Sequence, residues 1–182
     1  MDKQPDSLAV RLKSADRSAA AELVDQYYER IYHYIRRMGF GCALSEDLTQ
    51  DVFFQAWQHI AQLRSDEMLK PWLYRIATNA AKSQLRKKQR DISLEESELI
   101  DESSESWNKI DNKELLLKLK KEIDKLPMKL KQAVLLHYMQ HLTMAETADT
   151  ICVSHGTIKS RIARALNILR KQLEVKSGEN DE

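Results

Sequence analysis

Three cations, Lys159, Arg161 and Arg164, lie in the segment VSHGTIKSRIARAL, residues 153–166, among hydroxyl and imidazole side chains. The apolar residues of this segment recur every three or four positions, which is the period of a helix with one buried face. Arginine and lysine near the start of such a helix can donate hydrogen bonds to guanine edges, and flanking cations can hold phosphates. The same pattern is also typical of a helix that is merely solvated. The neighbouring elements are therefore needed to distinguish a DNA-binding helix from a solvated one.

Signals for two capped helices and a tight turn accompany this segment. Thr143 and Glu146 have the spacing of a capping box, which predicts a short helix as far as about Thr150. Ser154 is placed to cap the following helix, and this arrangement predicts a helix-turn-helix. The inner stripe of the second helix is predicted to be Ile158, Ile162, Leu166, Leu169 and Leu173. The residues predicted to face DNA are His155, Gly156, Thr157, Lys159, Ser160, Arg161 and Arg164.

A second basic helix is predicted in PWLYRIATNAAKSQLRKKQR, residues 71–90, which opens with a proline suited to the first helical position. We expect Trp72, Ile76 and Ala80 to point inward, with Trp72 and Tyr74 divided between core and surface. The second half carries cations without acids. It indicates either a solvated helix end or a groove for a DNA backbone, in which Asn79, Lys82 and Ser83 would touch bases.

A third helix is predicted in SEDLTQDVFFQAWQHI, residues 45–60, with Ser45 as its N-cap. Leu48, Val52, Ala56 and Ile60 form its core stripe. Three aromatic residues cover a wider arc than that stripe requires, which indicates either core packing or a surface for a protein partner: Phe53, Phe54 and Trp57. The acceptors that would border such a surface are Asp47, Gln50 and Asp51.

The charge distribution divides the chain. The 182 residues carry a net charge of +1, but residues 1–90 have 15 Lys/Arg against 11 Asp/Glu, and residues 113–182 have 13 against 9. Between them, residues 91–112 have one basic residue against eight acids. With only four Gly, three Pro and little strand-like alternation, the chain is predicted to form two basic, nearly all-helical bodies joined by an acidic linker.

Several classes of function are not supported by the sequence. No apolar run is long enough for a membrane span or a signal peptide, so we expect a cytoplasmic protein. Cys42 and Cys152 lie far apart, which disfavours a disulfide framework. His137 and His141 have a spacing that can bind zinc, but no further ligand completes a set, so we expect no metal and no cofactor. Without a phosphate-binding glycine loop, a nucleophile elbow or a triad, we expect no enzyme.

Four blocks together resemble the extracytoplasmic-function (group IV) sigma factors of bacterial RNA polymerase: SEDLTQDVFFQAW, PWLYRIATNAAKSQLRK, LPMKLKQAVLLHYMQHLTMAETA and VSHGTIKSRIARALNILRKQL. The resemblance implies an all-α fold with two small helical domains and covers nearly the whole chain. It assigns residues 1–92 to sigma region 2, 93–112 to a flexible acidic linker, 113–175 to sigma region 4 and 176–182 to a disordered tail.

The family resemblance also implies partners and roles. Such a factor binds core RNA polymerase through the β′ clamp helices and the β flap, directs it to promoters, and is controlled by an anti-sigma factor in stress responses. That partner could hold it at the membrane, without direct insertion and without a small-molecule substrate. The implied polymerase contacts are Asp47, Leu48, Gln50, Asp51, Phe53, Phe54 and Trp57. The implied contacts to the −10 element are Arg64, Ser65, Asp66, Asn79, Lys82, Ser83 and Arg86, while the last helix reads the −35 element.

Two other classes remain open at this point. A response-regulator output domain has a very similar second helix, but it leaves residues 1–90 unexplained, because a receiver would show βα alternation. A helical adaptor or anti-factor module would bind protein and not DNA. Charge reversal at Arg161 and Arg164 separates the adaptor from the DNA-binding classes, because the adaptor would keep its activity.

Overall fold

The computed structural model describes residues 7–91 and 113–178, and the side chains of residues 7–87 and 115–173. Helices and turns make up these residues, with no strand among them, and they form two compact units. The prediction of an all-α fold with two small helical domains is confirmed. The predicted acidic linker, residues 93–112, lies outside the described residues, as do residues 179–182 of the predicted tail.

The first unit contains four helices, the second of them as far as Arg36. They are α1 (Leu8–Lys13), α2 (Arg17–Arg37), α3 (Cys42–Gln58) and α4 (Leu69–Asp91), with 3-10 turns at Ile60–Gln62 and Asp66–Met68 before α4. The short α1 was not predicted. Ser7 caps it by accepting a hydrogen bond from Val10 N, and its Ala9 and Leu12 are buried. The chain then turns through Ala15, whose φ of 59° lies in the left-handed region.

The core of the first unit is centred on two tyrosines. Tyr34 of α2 and Tyr74 of α4 meet edge to face with ring centroids 5.3 Å apart. The hydroxyls of Tyr34 and Thr78 are 2.8 Å apart and hydrogen-bonded, and both residues are buried. Burial raises the pKa of Tyr34 and Tyr74 above the ordinary phenol value. These contacts fix the rotation of α4 against α2.

Two local predictions in this unit were wrong. α3 begins at Cys42, so Ser45 does not cap it but lies buried in its first turns, where its hydroxyl donates to Phe40 O. The inner face of α4 is rotated by about one residue from the prediction. Its buried residues are Leu73, Tyr74, Ala77, Thr78 and Ala81, while Ile76 and Ala80 are only partly buried. Trp72 is partly buried, in agreement with its predicted division between core and surface, whereas Tyr74, for which the same division was predicted, is fully buried.

The second unit contains the other four helices, and α8 packs against the three that precede it. They are α5 (Lys113–Asp124), α6 (Met128–Val134), α7 (Met144–Ile151) and α8 (His155–Gly178). Ile158, Ile162 and Leu169 of α8 are buried as predicted, but Leu166 is exposed and Ala165 occupies the core instead. Since α8 continues to Gly178, its backbone extends beyond the predicted domain boundary at residue 175.

A π-helical turn, Leu135–Met139, continues α6 and leads into the link to α7. Gln140 N donates to Leu135 O at 3.0 Å, and this spacing of five residues is the one that defines a π-helix. His141 then adopts a φ of 52°, and the Nδ1 atom of His137 lies 2.7 Å from Leu142 O. The imidazole of His137 therefore hydrogen-bonds to the connection between the π-helical turn and α7, and this contact helps to orient α7.

Candidate functional site

The turn between α7 and α8 is held by local hydrogen bonds. Thr143 Oγ1 accepts from Glu146 N at 3.2 Å, and Glu146 Oε2 accepts from Thr143 N at 2.7 Å, so the predicted capping box is present. At the other end, Val153 N donates to Ala148 O at 3.0 Å. Cys152 adopts the left-handed conformation, with φ 61° and ψ 54°, where helix ends usually place glycine. α7, this turn and α8 form a helix-turn-helix.

One face of α8 is buried and the opposite face is polar. Ser154 Oγ accepts from Thr157 N at 3.2 Å and caps the helix as predicted. His155, Gly156, Lys159, Ser160 and Arg164 are exposed, while Thr157 and Arg161 are half-buried. A Cβ added at Gly156 would meet no atom within 4 Å, so the start of α8 is open. The structure thus brings the seven predicted DNA-facing residues together on the N-terminal half of α8.

The exposed face of α3 combines aromatic and acidic residues. Asp47, Gln50, Asp51, Phe54 and Trp57 are all exposed, and their spacing places them on one side of the helix. We call these five residues the α3 face. Phe54 is 61% exposed and Trp57 40%, so neither is a plain core residue. The α3 face therefore offers apolar area bordered by carboxylates.

Two residues predicted with the α3 face lie elsewhere. Leu48 is buried with Val52 and Ala56 on the opposite side of α3. Phe53 is half-buried at the edge, where its ring stacks on Tyr28 with centroids 6.1 Å apart. Both residues support the α3 face from beneath and from the side.

The outer face of α4 carries the residues predicted to touch DNA. Arg75, Asn79, Ser83 and Arg86 are exposed, and Lys82 is half-buried. Their spacing places them opposite the buried stripe of Leu73, Ala77 and Ala81. The side chains of Lys88 and Arg90, which belong to the same predicted basic run, lie outside those described. This face presents cationic, amide and hydroxyl groups of the kinds that contact phosphates and base edges.

The α3–α4 loop, residues 59–68, has internal hydrogen bonds. Arg64 and Met68 are exposed, whereas Ser65 and Asp66 are half-buried. The Ser65 hydroxyl and the amide of Glu67 hydrogen-bond to the Glu67 carboxylate and lower the pKa of that carboxyl below its usual range. Asp66 Oδ1 accepts from Ala9 N at the start of α1, at 2.5 Å. Of the three predicted loop residues, only Arg64 projects fully into solvent.

Two residues with functional potential were missed by sequence reasoning. Trp72 lies seven residues before Asn79, which places both on the same face of α4, and its half-buried indole borders the polar surface. Met68 is 42% exposed and gives the α3–α4 loop an apolar side chain at its outer end. Helical spacing from Asn79 could have revealed Trp72, but no pattern in the sequence marks Met68.

Histidine, cysteine and acidic residues are also potential metal ligands. In the part of the chain that the structure covers, no group of three or more His, Cys, Asp or Glu residues could hold a metal ion. Cys42 and Cys152 are exposed free thiols. Among the described helices, none has the length and apolar character to cross a bilayer.

Comparisons with known proteins agree with this geometry. The family model of Sigma-70 region 2 matches residues 23–91, and that of Sigma-70 region 4 matches residues 116–169, together about two thirds of the chain. The first match accounts for the segment that a response-regulator interpretation left unexplained.

Individual relatives extend the similarity over most of the chain. It is 30% identical to the ECF RNA polymerase sigma factor SigW of Bacillus subtilis, over 90% of this chain and 93% of that protein. It is 29% identical to the RNA polymerase sigma-H factor of Pseudomonas aeruginosa, over 94% and 95%. Its fold is similar to that of the sigma factor RpoE from Bartonella quintana, solved in complex with the anti-sigma factor NepR. That match has a TM-score of 0.70 and 26% identity, and covers 85% of this chain and 96% of that one.

The chain therefore belongs to the extracytoplasmic-function sigma factors of the sigma-70 family. These proteins are transcription initiation factors rather than catalysts. Its function is to direct RNA polymerase to promoters.

Proposed function

We propose that three surfaces of this chain divide the work of initiation, and that α8 reads the −35 element from the DNA major groove. The observation that carries the proposal is the orientation of α8, in which Ile158 and Ile162 are buried while Gly156, Ser160 and Arg164 face outward. The capped α7 precedes it in a helix-turn-helix, whose second helix enters the groove. Lys159 and Arg161 flank this face and contact phosphates, and His155 and Thr157 lie at its N-terminal end.

The α3 face docks on core polymerase, at the β′ clamp helices. Its exposed aromatics supply the apolar area that a protein interface needs at its centre, and Asp47 and Asp51 supply acceptors for cationic partner residues. Phe53 and the buried Leu48 contribute by holding the exposed residues in place. The second unit adds a contact to the β flap.

The α3–α4 loop and α4 act on the −10 element. Arg64, Ser65 and Asp66 belong to the loop that captures a flipped base, and Asn79, Lys82, Ser83 and Arg86 hold the adjacent strand. Each basic surface carries few cations, so DNA binding by the free protein is weak and falls with salt. Polymerase makes DNA binding specific because it holds α4 and α8 at a fixed spacing, which raises the effective concentration of each at its promoter element.

An anti-sigma factor controls this protein in the cytoplasm. The solved complex of the Bartonella RpoE chain with NepR supports such a partner, and the exposed aromatic side chains of the α3 face offer a surface that a protein partner can cover. The factor itself has no catalytic activity. Its chemistry consists of contacts to polymerase and promoter.

Run-off transcription tests the proposal. Purified core polymerase and this protein are incubated with fragmented source DNA, and the RNA 5′ ends are sequenced. Discrete start sites that share two upstream elements at a fixed spacing are the expected result. Absence of both specific transcripts and core binding refutes it.

Two variants separate the surfaces in the same assay. Arg164→Glu should abolish transcription from −35-dependent promoters and leave core binding intact, because Arg164 is exposed on α8. Asp51→Lys should abolish core binding while the far-UV circular dichroism stays unchanged. Full transcription by Arg164→Glu would instead favour a protein-binding adaptor.

A further inference from the structure

A hydrogen bond joins the α3–α4 loop to the first helix of the chain. Leu63 and Leu69 are buried and fix the two sides of the loop. Between them, the Asp66 carboxylate accepts the hydrogen bond from Ala9 N, across 57 positions of sequence. α1 also packs against the 3-10 turn Ile60–Gln62 of the same loop.

The donor in this bond has no partner within its own helix. Ala9 lies in the first turn of α1, where backbone N–H groups find no carbonyl of the helix to bond. Because Ala9 is only 2% exposed, water cannot readily replace the missing partner. The Asp66 carboxylate supplies it, and its negative charge is favourable at a helix N-terminus.

α1 is itself held firmly against α2. Leu12 is buried, and the guanidinium of Arg11 donates to three residues, one just before α2 and two in its first two turns. Its Nη1 lies 2.8 Å from Glu22, its Nη2 2.9 Å from Ser18 and its Nε 3.1 Å from Asp16. The Ser18 hydroxyl and amide and the Arg11 guanidinium hydrogen-bond to Asp16 and lower the pKa of its carboxyl to about 2. The bond to Asp66 therefore ties the loop to a helix that is itself hydrogen-bonded to α2 and to the residue before it.

We propose that Asp66 is a positioning residue, which fastens the α3–α4 loop to α1 and does not contact the promoter. With Asp66 turned toward α1, the neighbouring loop side chains that remain outward are Arg64, Glu67 and Met68, and of these Arg64 and Met68 carry no negative charge that would repel a flipped base. α1 thereby contributes to promoter opening through its hydrogen bond to the loop. This inference rests on the proposed −10 role of the loop.

The test compares Asp66→Ala, Ala9→Pro and the double variant. Proline at position 9 removes the donor but also places ring atoms where Ala9 is only 2% exposed, whereas alanine at 66 removes the acceptor alone. Open complexes are measured by permanganate reactivity at a promoter found by run-off transcription. Each single variant should form open complexes about tenfold less readily, the scale of one lost buried hydrogen bond. The double variant should be no worse than either single variant.

Further measurements exclude a general loss of structure. Affinity for core polymerase and binding of −35 duplex should not change in any variant, because α3 and α8 carry them. Asp66→Asn keeps an acceptor oxygen and should recover part of the activity lost in Asp66→Ala. The matched control is Lys13→Ala, an exposed position on α1, which should behave as the unmodified chain.

Three outcomes would overturn the inference. Normal opening by Ala9→Pro together with a defect in Asp66→Ala means that Asp66 contacts DNA directly. Defects that multiply to about a hundredfold in the double variant mean that the two residues act independently. Absence of open complexes with the unmodified chain refutes the proposed function itself, and the inference with it.

Discussion

Truncation of Phe54 should separate binding to polymerase from folding. Full burial of a phenylalanine side chain contributes about 1.5–3 kcal/mol. Because Phe54 is 61% exposed in the free protein, most of this contribution is available only when a partner covers the α3 face. Phe54→Ala should therefore weaken binding to core polymerase by roughly 1–2 kcal/mol, or about 5- to 30-fold in Kd. The free energy of unfolding should fall by only about 0.5–1 kcal/mol.

The assay titrates fluorescently labelled protein with core RNA polymerase and follows anisotropy, while urea denaturation gives the free energy of unfolding. Val10→Ala is the matched control, because Val10 is 51% exposed but lies on α1 and outside the α3 face. It should leave polymerase affinity unchanged. Equal polymerase affinity of Phe54→Ala and the unmodified chain would refute the assignment of the α3 face, whatever the stability data show.

Three further predictions concern the helix-turn-helix and the tyrosine core. Gly156→Ala should raise stability by about 0.5–1 kcal/mol, because the added Cβ meets no atom of the chain and alanine favours a helix; it should lower transcription from −35-dependent promoters, and unchanged transcription would contradict the position of Gly156 at the DNA surface. Cys152→Gly should stabilise the second unit by about 1 kcal/mol in urea denaturation, since glycine adopts a φ of 61° without strain, and transcription should not change; a loss of stability would count against the turn geometry. Because burial raises the pKa of Tyr34 and Tyr74, the folded state favours their neutral forms, so their stabilisation is fully present below pH of about 10 and is lost as the pH rises above it. Circular dichroism at increasing pH should show Tyr34→Phe losing less of its stability than the unmodified chain; equal losses would exclude Tyr34 as the titrating group.

Local signals made the helix-turn-helix predictable. The capping residues Thr143, Glu146 and Ser154 act within four positions of sequence, so their hydrogen bonds could be inferred from spacing alone. The aromatic arc on α3 was also visible, but sequence could not decide between core and surface for Phe53 and Phe54, because that depends on what α2 covers.

The inner face of α4 was misplaced for a tertiary reason. Small residues occur on several sides of this helix, among them Ala77, Ala80 and Ala81, so the apolar period does not fix one stripe. The contacts of Tyr34 with Tyr74 and Thr78 select the face that is buried, and they join distant segments.

The hydrogen bond between Asp66 and the backbone of Ala9 was missed for a similar reason. α1 is only six residues long, which is too short to show a helical period, and Asp66 satisfies a donor 57 positions away. The family resemblance placed Asp66 among the promoter contacts, and an acidic residue in a loop carries no sign in the sequence of an intramolecular partner.

The two faces of α4 constrain how this segment can change during evolution. Leu73, Ala77 and Ala81 are buried on one side, and Asn79 and Arg86 are exposed on the other, along one uninterrupted helix. Inserting one residue within this part of α4 would rotate every residue after it by about 100° and advance it by about 1.5 Å. Either the buried face or the exposed polar face would then point the wrong way. If α4 contacts promoter DNA as proposed, new promoter preferences would arise by exchange of exposed side chains, because gain or loss of a single residue would disrupt the core or misplace the polar face.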